Sequence, residues 1–146
     1  MNPSLKQLEP LVGKWVMELS NASFLPDHST TVRGTTSCEW IEGGDFLAVR
    51  QGAKGAGTPY SVWLIGRDKA SSEYTALYFD DRGVSRVYRM SFKSGIWKLW
   101  RVTPKFSQRF EGKLSKDKKT IKAQWEKKFG SKKWEHDFDL TYSKRK

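Results

Sequence analysis

From residue 13 to residue 143 the chain alternates short runs rich in Val, Ile, Thr, Trp, Tyr and Phe with clusters of Gly, Asp, Asn, Ser and Lys. β-branched and aromatic side chains suit a pleated, half-buried surface, and two-residue alternation turns one face of each run toward a core. About ten such runs are legible, at 13–19, 30–41, 46–51, 60–67, 73–79, 84–92, 96–103, 106–114, 120–128 and 134–143. Parallel neighbours need a crossover of a dozen or more residues, usually a helix, and no gap here has room for one. An open meander of this many strands would expose two unpaired edges, and closure removes both. The expected fold is therefore all-β, a single closed, mostly antiparallel up-and-down barrel of about ten strands at 13–143. It fills one domain, 1–146, of ordinary single-core size.

Residues 1–12 stand apart as a short helical cap. Ser4 is a candidate N-cap, Leu5 and Leu8 form an apolar pair, and Pro10 ends the turn, so this segment would cover one end of the barrel. Glu42-Gly43-Gly44-Asp45, Asp80-Asp81-Arg82-Gly83, Ser94-Gly95 and Gly130-Ser131 read as tight turns. The loop 52–58 carries three glycines before Pro59 and is either a plain hairpin tip or a gate at the barrel mouth.

Composition excludes several classes of function. No apolar run approaches the roughly 20 residues that span a bilayer, and residues 1–6 lack a secretory apolar core. The expectation is a soluble cytoplasmic protein with no membrane span. Cys38 is the single cysteine, so no internal disulfide forms, and its apolar neighbours mark an inert thiol. The net charge of +11 is uneven: residues 1–92 hold 10 basic and 10 acidic side chains, whereas 93–146 hold 17 and 6. Such asymmetry marks either a lysine-rich solvated face or a surface for nucleic acid or anionic lipid. The lysines fall at turns and outward positions rather than in one tract, which favours the solvated face and gives no strong sign of nucleic-acid binding.

Alternation also nominates what faces inward. Trp15 and Met17 lead one face of 13–19, and Trp40 shares a face with Val32, Thr36 and Cys38. Tyr78 lies with Tyr74 and Ala76, Trp125 with Ile121 and Ala123, and Phe110 with Phe106 and Gln108. The face of 84–92 that carries Tyr88 and Met90 also carries Arg86, and the face of 134–143 that carries Phe138 and Leu140 also carries His136. On 96–103, Arg101 goes with Trp97 and Leu99, although the opposite face is nearly as apolar. The candidate ligand-binding set is thus Trp15, Met17, Trp40, Tyr78, Arg86, Tyr88, Gln108, Phe110, Trp125, His136 and Phe138. Lys14, Lys122, Lys128 and Asp137 are expected outside, as are Ser107, Arg109, Glu111 and Lys113.

An inward arginine keeps its proton and needs a counter-charge. Asp80, Asp81 or Glu39 would make Arg86 a structural ion pair, whereas a ligand carboxylate or phenolate would make it an anchor. The 7 tryptophans likewise either line a pocket or fill the barrel solid. Chemistry beyond binding has little support. No two carboxylates pair at a spacing that implies acid–base work, so no catalytic residue is assigned. His28 and His136 are too isolated for a metal site, and neither a metal nor a cofactor is expected.

Four stretches resemble the calycin-like, lipocalin-like small barrels of bacteria, in a family known only as a domain of unknown function. They are Leu11-Val12-Gly13-Lys14-Trp15, residues 40–47 (WIEGGDFL), residues 81–88 (DRGVSRVY) and the closing residues 137–142 (DFDLTY). The resemblance covers nearly the whole chain and implies a barrel with an internal cavity for a hydrophobic ligand, though not one agreed activity. It leaves a barrel enzyme of cyclase or isomerase type as an alternative, with a cavity Tyr or Arg donating protons and stabilising charge. A related group, the nitrobindin-like haem barrels, implies an axial His on the last strand; aligning the Thr141-Tyr142 step puts Asp139 or Asp137, not His136, at that place. The function expected is binding of a small hydrophobic molecule with an anionic or polar end, by a monomer or homodimer.

Overall fold

The computed structural model describes residues 2–53 and 58–145. Ten strands follow in order: β1 (Gly13–Ser20), β2 (Val32–Ile41), β3 (Phe46–Gly52), β4 (Ser61–Arg67), β5 (Tyr74–Asp80), β6 (Ser85–Lys93), β7 (Ile96–Arg101), β8 (Phe106–Leu114), β9 (Thr120–Phe129) and β10 (Glu135–Lys144). Each pairs antiparallel with its neighbours in sequence, and β1 closes the barrel against β10 with Met17 opposite Tyr142. Among the described residues no helix is long and apolar enough to cross a membrane. The loop 52–58, expected as a tip or gate, includes 54–57, which lie outside the described residues.

The N-terminal segment is a 3-10 helix, Pro3–Leu11, longer than the one or two turns expected. Its cap is Asn2 rather than Ser4: the Asn2 side chain accepts the Ser4 backbone N–H at 3.0 Å. Three residues per turn puts Leu5, Leu8 and Leu11 on one edge of such a helix, and all three are wholly buried. That edge plugs the barrel end where β1 starts. Trp15 stands beneath it, its indole N–H donating to the Leu11 carbonyl at 3.0 Å.

Inward positions alternate as the pattern demands. Trp15, Met17, Leu19, Trp63, Ile65, Ala76, Tyr88, Met90, Leu99, Trp125 and Leu140 are buried, and Lys14 and Lys122 exposed. Four expectations of burial or exposure fail. Phe138 and Lys128 are both half-buried, the ammonium of Lys128 lying over the Trp134 ring. Ser107 is buried on the outer face, because Thr103 folds over it and exchanges two hydrogen bonds with its hydroxyl. Asp137 is buried instead of exposed. The β9–β10 register slips by one residue between His136 and Phe138, so Asp137 is the extra residue of a β-bulge.

Candidate functional site

Opposite the plug, the barrel opens onto a cavity of about 690 Å³. Below it the interior is solid. Trp63 and Trp125 stack at 6.2 Å across the lumen, with Tyr88 against both rings and Tyr78 edge-on to Trp63. Phe110, Trp97 and Tyr142 fill the space underneath, leaving a void of only about 20 Å³. The aromatics therefore both fill the lower half and floor an open upper half.

Of the residues nominated from sequence, Met17, Tyr78, Arg86, Tyr88, Gln108, Trp125 and Phe138 come together around this cavity. Four do not. Trp15 lies at the plugged end, and Phe110 sits under the aromatic floor. Trp40 is half-buried opposite Leu47, near the turn at the plugged end. His136 is exposed: the bulge at Asp137 turns it to the outer face, where its Nε2 is 2.8 Å from Asp139 Oδ1. That inversion also decides the haem alternative. His28 is exposed in the loop after β1, so neither histidine faces the cavity, and the residues present do not fit a haem held by an axial imidazole.

Burial sets the electrostatics. The Arg86 guanidinium donates to the side-chain oxygen of Gln108 at 3.3 Å and lies over the Phe106 ring at 5.5 Å. The same Gln108 oxygen accepts from the Tyr88 hydroxyl. None of the expected carboxylates pairs with Arg86: Glu39 pairs with Arg50 on the outside, Asp80 pairs with Arg82 at 2.6 Å, and Asp81 lines the same cavity without an ion pair to Arg86. Among the described residues Arg86 has no salt bridge, and most of its donors stay free in a largely apolar chamber. Burial raises the Tyr88 phenol, and burial plus the adjacent Asp80 carboxylate raise that of Tyr78, so both are neutral donors near pH 7. For Asp80, burial works against ionisation, but hydrogen bonds from Arg82, Tyr78 and two backbone N–H groups outweigh it and hold the carboxyl well below the usual range. Cys38 takes no part: burial pushes its thiol up to about 12.

The segment between β1 and β2 bends over the mouth. Ser23 donates its backbone N–H to the Asp137 carbonyl and its hydroxyl to the Asp137 carboxylate, both at 2.7 Å. Lys127 completes the knot, 2.7 Å from the Ser23 hydroxyl and 3.4 Å from the carboxylate, while Phe24 packs edge-on against Phe138 at 5.5 Å. This explains why a bulge at Asp137 is tolerated, since Oδ1 of the inward carboxylate meets both the Ser23 hydroxyl and the Lys127 ammonium. Sequence reasoning missed Trp63, Gln51 and Lys127 as lining residues. Val62-Trp63-Leu64 is apolar on both faces, which erases the alternation signal, and Gln51 and Lys127 close their strands at the mouth, where polar residues look like solvent positions.

The fold and site together define a ten-stranded antiparallel barrel with one plugged end and one cavity-bearing end. Among solved structures, the crystal structure of Rv2717c from M. tuberculosis superposes with a TM-score of 0.68 at 11% identity, covering 100% of this chain and 99% of that one. At that identity the likeness concerns the fold. No protein-family model matches the sequence, and no curated protein does.

Proposed function

We propose that the barrel binds a small, mainly aromatic or aliphatic molecule with an anionic end, in the manner of calycin-like barrels. The observation that carries this reading is Arg86, a half-buried guanidinium lining a largely apolar chamber and, among the described residues, hydrogen-bonded to a neutral amide oxygen with no salt bridge. A charge so placed costs free energy unless a counter-charge arrives, and a ligand carboxylate supplies one. The chamber's size suits a ligand of drug-like dimensions, its Trp and Tyr rings supply contact area, and Tyr88 and Gln108 give orientation. The protein works as a binder, in the cytoplasm, and as a monomer or homodimer.

The test is fluorescence titration with naphthoic acid and its methyl ester. The acid should bind more tightly, and Arg86→Met should cost the acid about 1–3 kcal/mol, the range of a charge-assisted hydrogen bond, while sparing the ester. The preference should persist in added salt, since a cavity pair is screened far less than the basic outer face. Equal loss for both ligands, or for neither, makes Arg86 structural and removes the reading.

A further inference from the structure

The ladder between β6 and β7 is incomplete. It runs from Lys93 opposite Ile96 to Arg89 opposite Trp100 and stops there, although β6 continues back to Ser85. Over that half of β6 the pairing continues only to β5, as far as Phe79 opposite Ser85. A groove of about 540 Å³ follows the unpaired stretch. Its lining mixes outward residues (Phe79, Val87, Val102) with Arg86 and Arg101, which follow the inward faces of their strands. A depression reached by both faces of neighbouring strands is cut into the wall, not laid upon it. Arg86 lines this groove and the central cavity alike, so its side chain borders both spaces.

Arg101 resembles Arg86 in its surroundings. It is half-buried, stands opposite Gln108 on β8, donates to the Phe106 carbonyl at 3.4 Å, and has no salt bridge among the described residues. Both arginines line the groove and flank Gln108, Arg86 through its hydrogen bond and Arg101 through strand pairing. By contrast the outward arginines nearby are neutralised, Arg89 by Glu73 at 2.6 Å and Arg109 by Glu126 at 2.8 Å. Outside the slot, Phe79, Val87 and Val102 are 45%, 62% and 75% exposed, an apolar approach that a purely hydrophilic anion has no use for.

We propose that the slot between β6 and β7 holds the head group of an anionic amphiphile, clamped between Arg86 and Arg101, with its apolar chain directed into the cavity. This rests on the cavity reading and adds a second anchor and a ligand class. Two guanidinium forks match a head with several equivalent oxygens, such as a phosphate, sulfonate or carboxylate.

The probe is decyl phosphate, measured by calorimetry beside decanol and inorganic phosphate. Arg101→Met should weaken decyl phosphate about tenfold or more, as loss of a charge-assisted hydrogen bond does, and leave decanol unchanged. Arg101→Lys, which keeps the charge and spares the fold, should weaken it less. Inorganic phosphate should bind far more weakly; equal binding would make this a simple anion site and overturn the amphiphile. Extending the Arg89–Trp100 register by two residues sets Val87 against Val102 on the two lips of the slot, so a Val87→Cys/Val102→Cys disulfide should close it, weaken decyl phosphate about tenfold, and be reversed by reductant. If Arg86→Met weakens decyl phosphate but Arg101→Met and the disulfide do not, the slot is wrong and the cavity reading stands. If neither arginine matters, both fall.

Discussion

The side-chain oxygen of Gln108 accepts from the Tyr88 hydroxyl and the Arg86 guanidinium at once, so a neutral amide takes the place where a carboxylate would have quenched the charge. Gln108→Glu should convert this contact into an ion pair with little change of volume. Expected is a thermal midpoint equal to or above that of the parent, with naphthoic acid binding reduced about tenfold and ester binding retained. Titration of both ligands checks it; undiminished acid binding would mean that the Arg86 charge faces elsewhere.

The second expectation concerns pH. Asp80 is held ionised in the folded protein, its carboxyl lying below the ordinary value, so its stabilisation is complete at neutral pH. The contribution should fade as pH falls through the ordinary carboxylate range toward the lowered native value, because the unfolded chain takes up the proton first. Asp80→Asn should lose roughly 1–3 kcal/mol at neutral pH, the scale of removing one hydrogen-bonded partner. The deficit should shrink in acid, as urea midpoints across the pH series will show.

The plug offers a third. Leu8 is wholly buried within the 3-10 helix, and Leu8→Ala should cost about 2–5 kcal/mol through lost burial and the cavity left behind. Naphthoic acid affinity should hold, because the aromatic floor separates plug from chamber. A parallel fall in affinity would show the two ends to be coupled.

Gly34 gives a fourth, set by space alone. A Cβ there would lie 2.4 Å from the Gly52 carbonyl oxygen and 2.9 Å from its carbon. Since both contacts are backbone, β2 and β3 must move apart, and Gly34→Ala should destabilise by about 1–3 kcal/mol. At Gly43, with nothing within 4 Å of the Cβ position, Gly43→Ala would carry the strain of a positive φ of 69° without any clash. Comparing the two variants separates crowding from backbone strain.

Much of this barrel could be read from the chain because its evidence is local. The alternation of Trp15, Met17 and Leu19 against Lys14 and Glu18 fixes a face without knowledge of any partner strand. Arg86 reached the cavity by the same logic, since Tyr88 and Met90 share its face. His136 did not, because the one residue that inverts its side, Asp137, shows itself only through the register with β9. Where both faces are apolar, as around Trp63, alternation is silent and only the closed sheet chooses. The partner of Arg86 was invisible for another reason: Gln108 lies two strands away, and nothing local distinguishes a neutral acceptor from a carboxylate.

The excess of positive charge belongs to β7 through β10, one contiguous sector of the wall. Its outward acids are partly occupied, Glu111 by Lys98 at 3.6 Å and Glu126 by Arg109. The remaining lysines give that sector a positive field.

Because three leucines close one end and a layer of stacked rings divides the lumen, the barrel is built as a vessel with a fixed base. On the binding reading proposed above, substitutions in the open half away from Asp80 would alter the ligand while leaving the base intact. A designer working from this barrel could therefore vary the open end while the base is inherited unchanged.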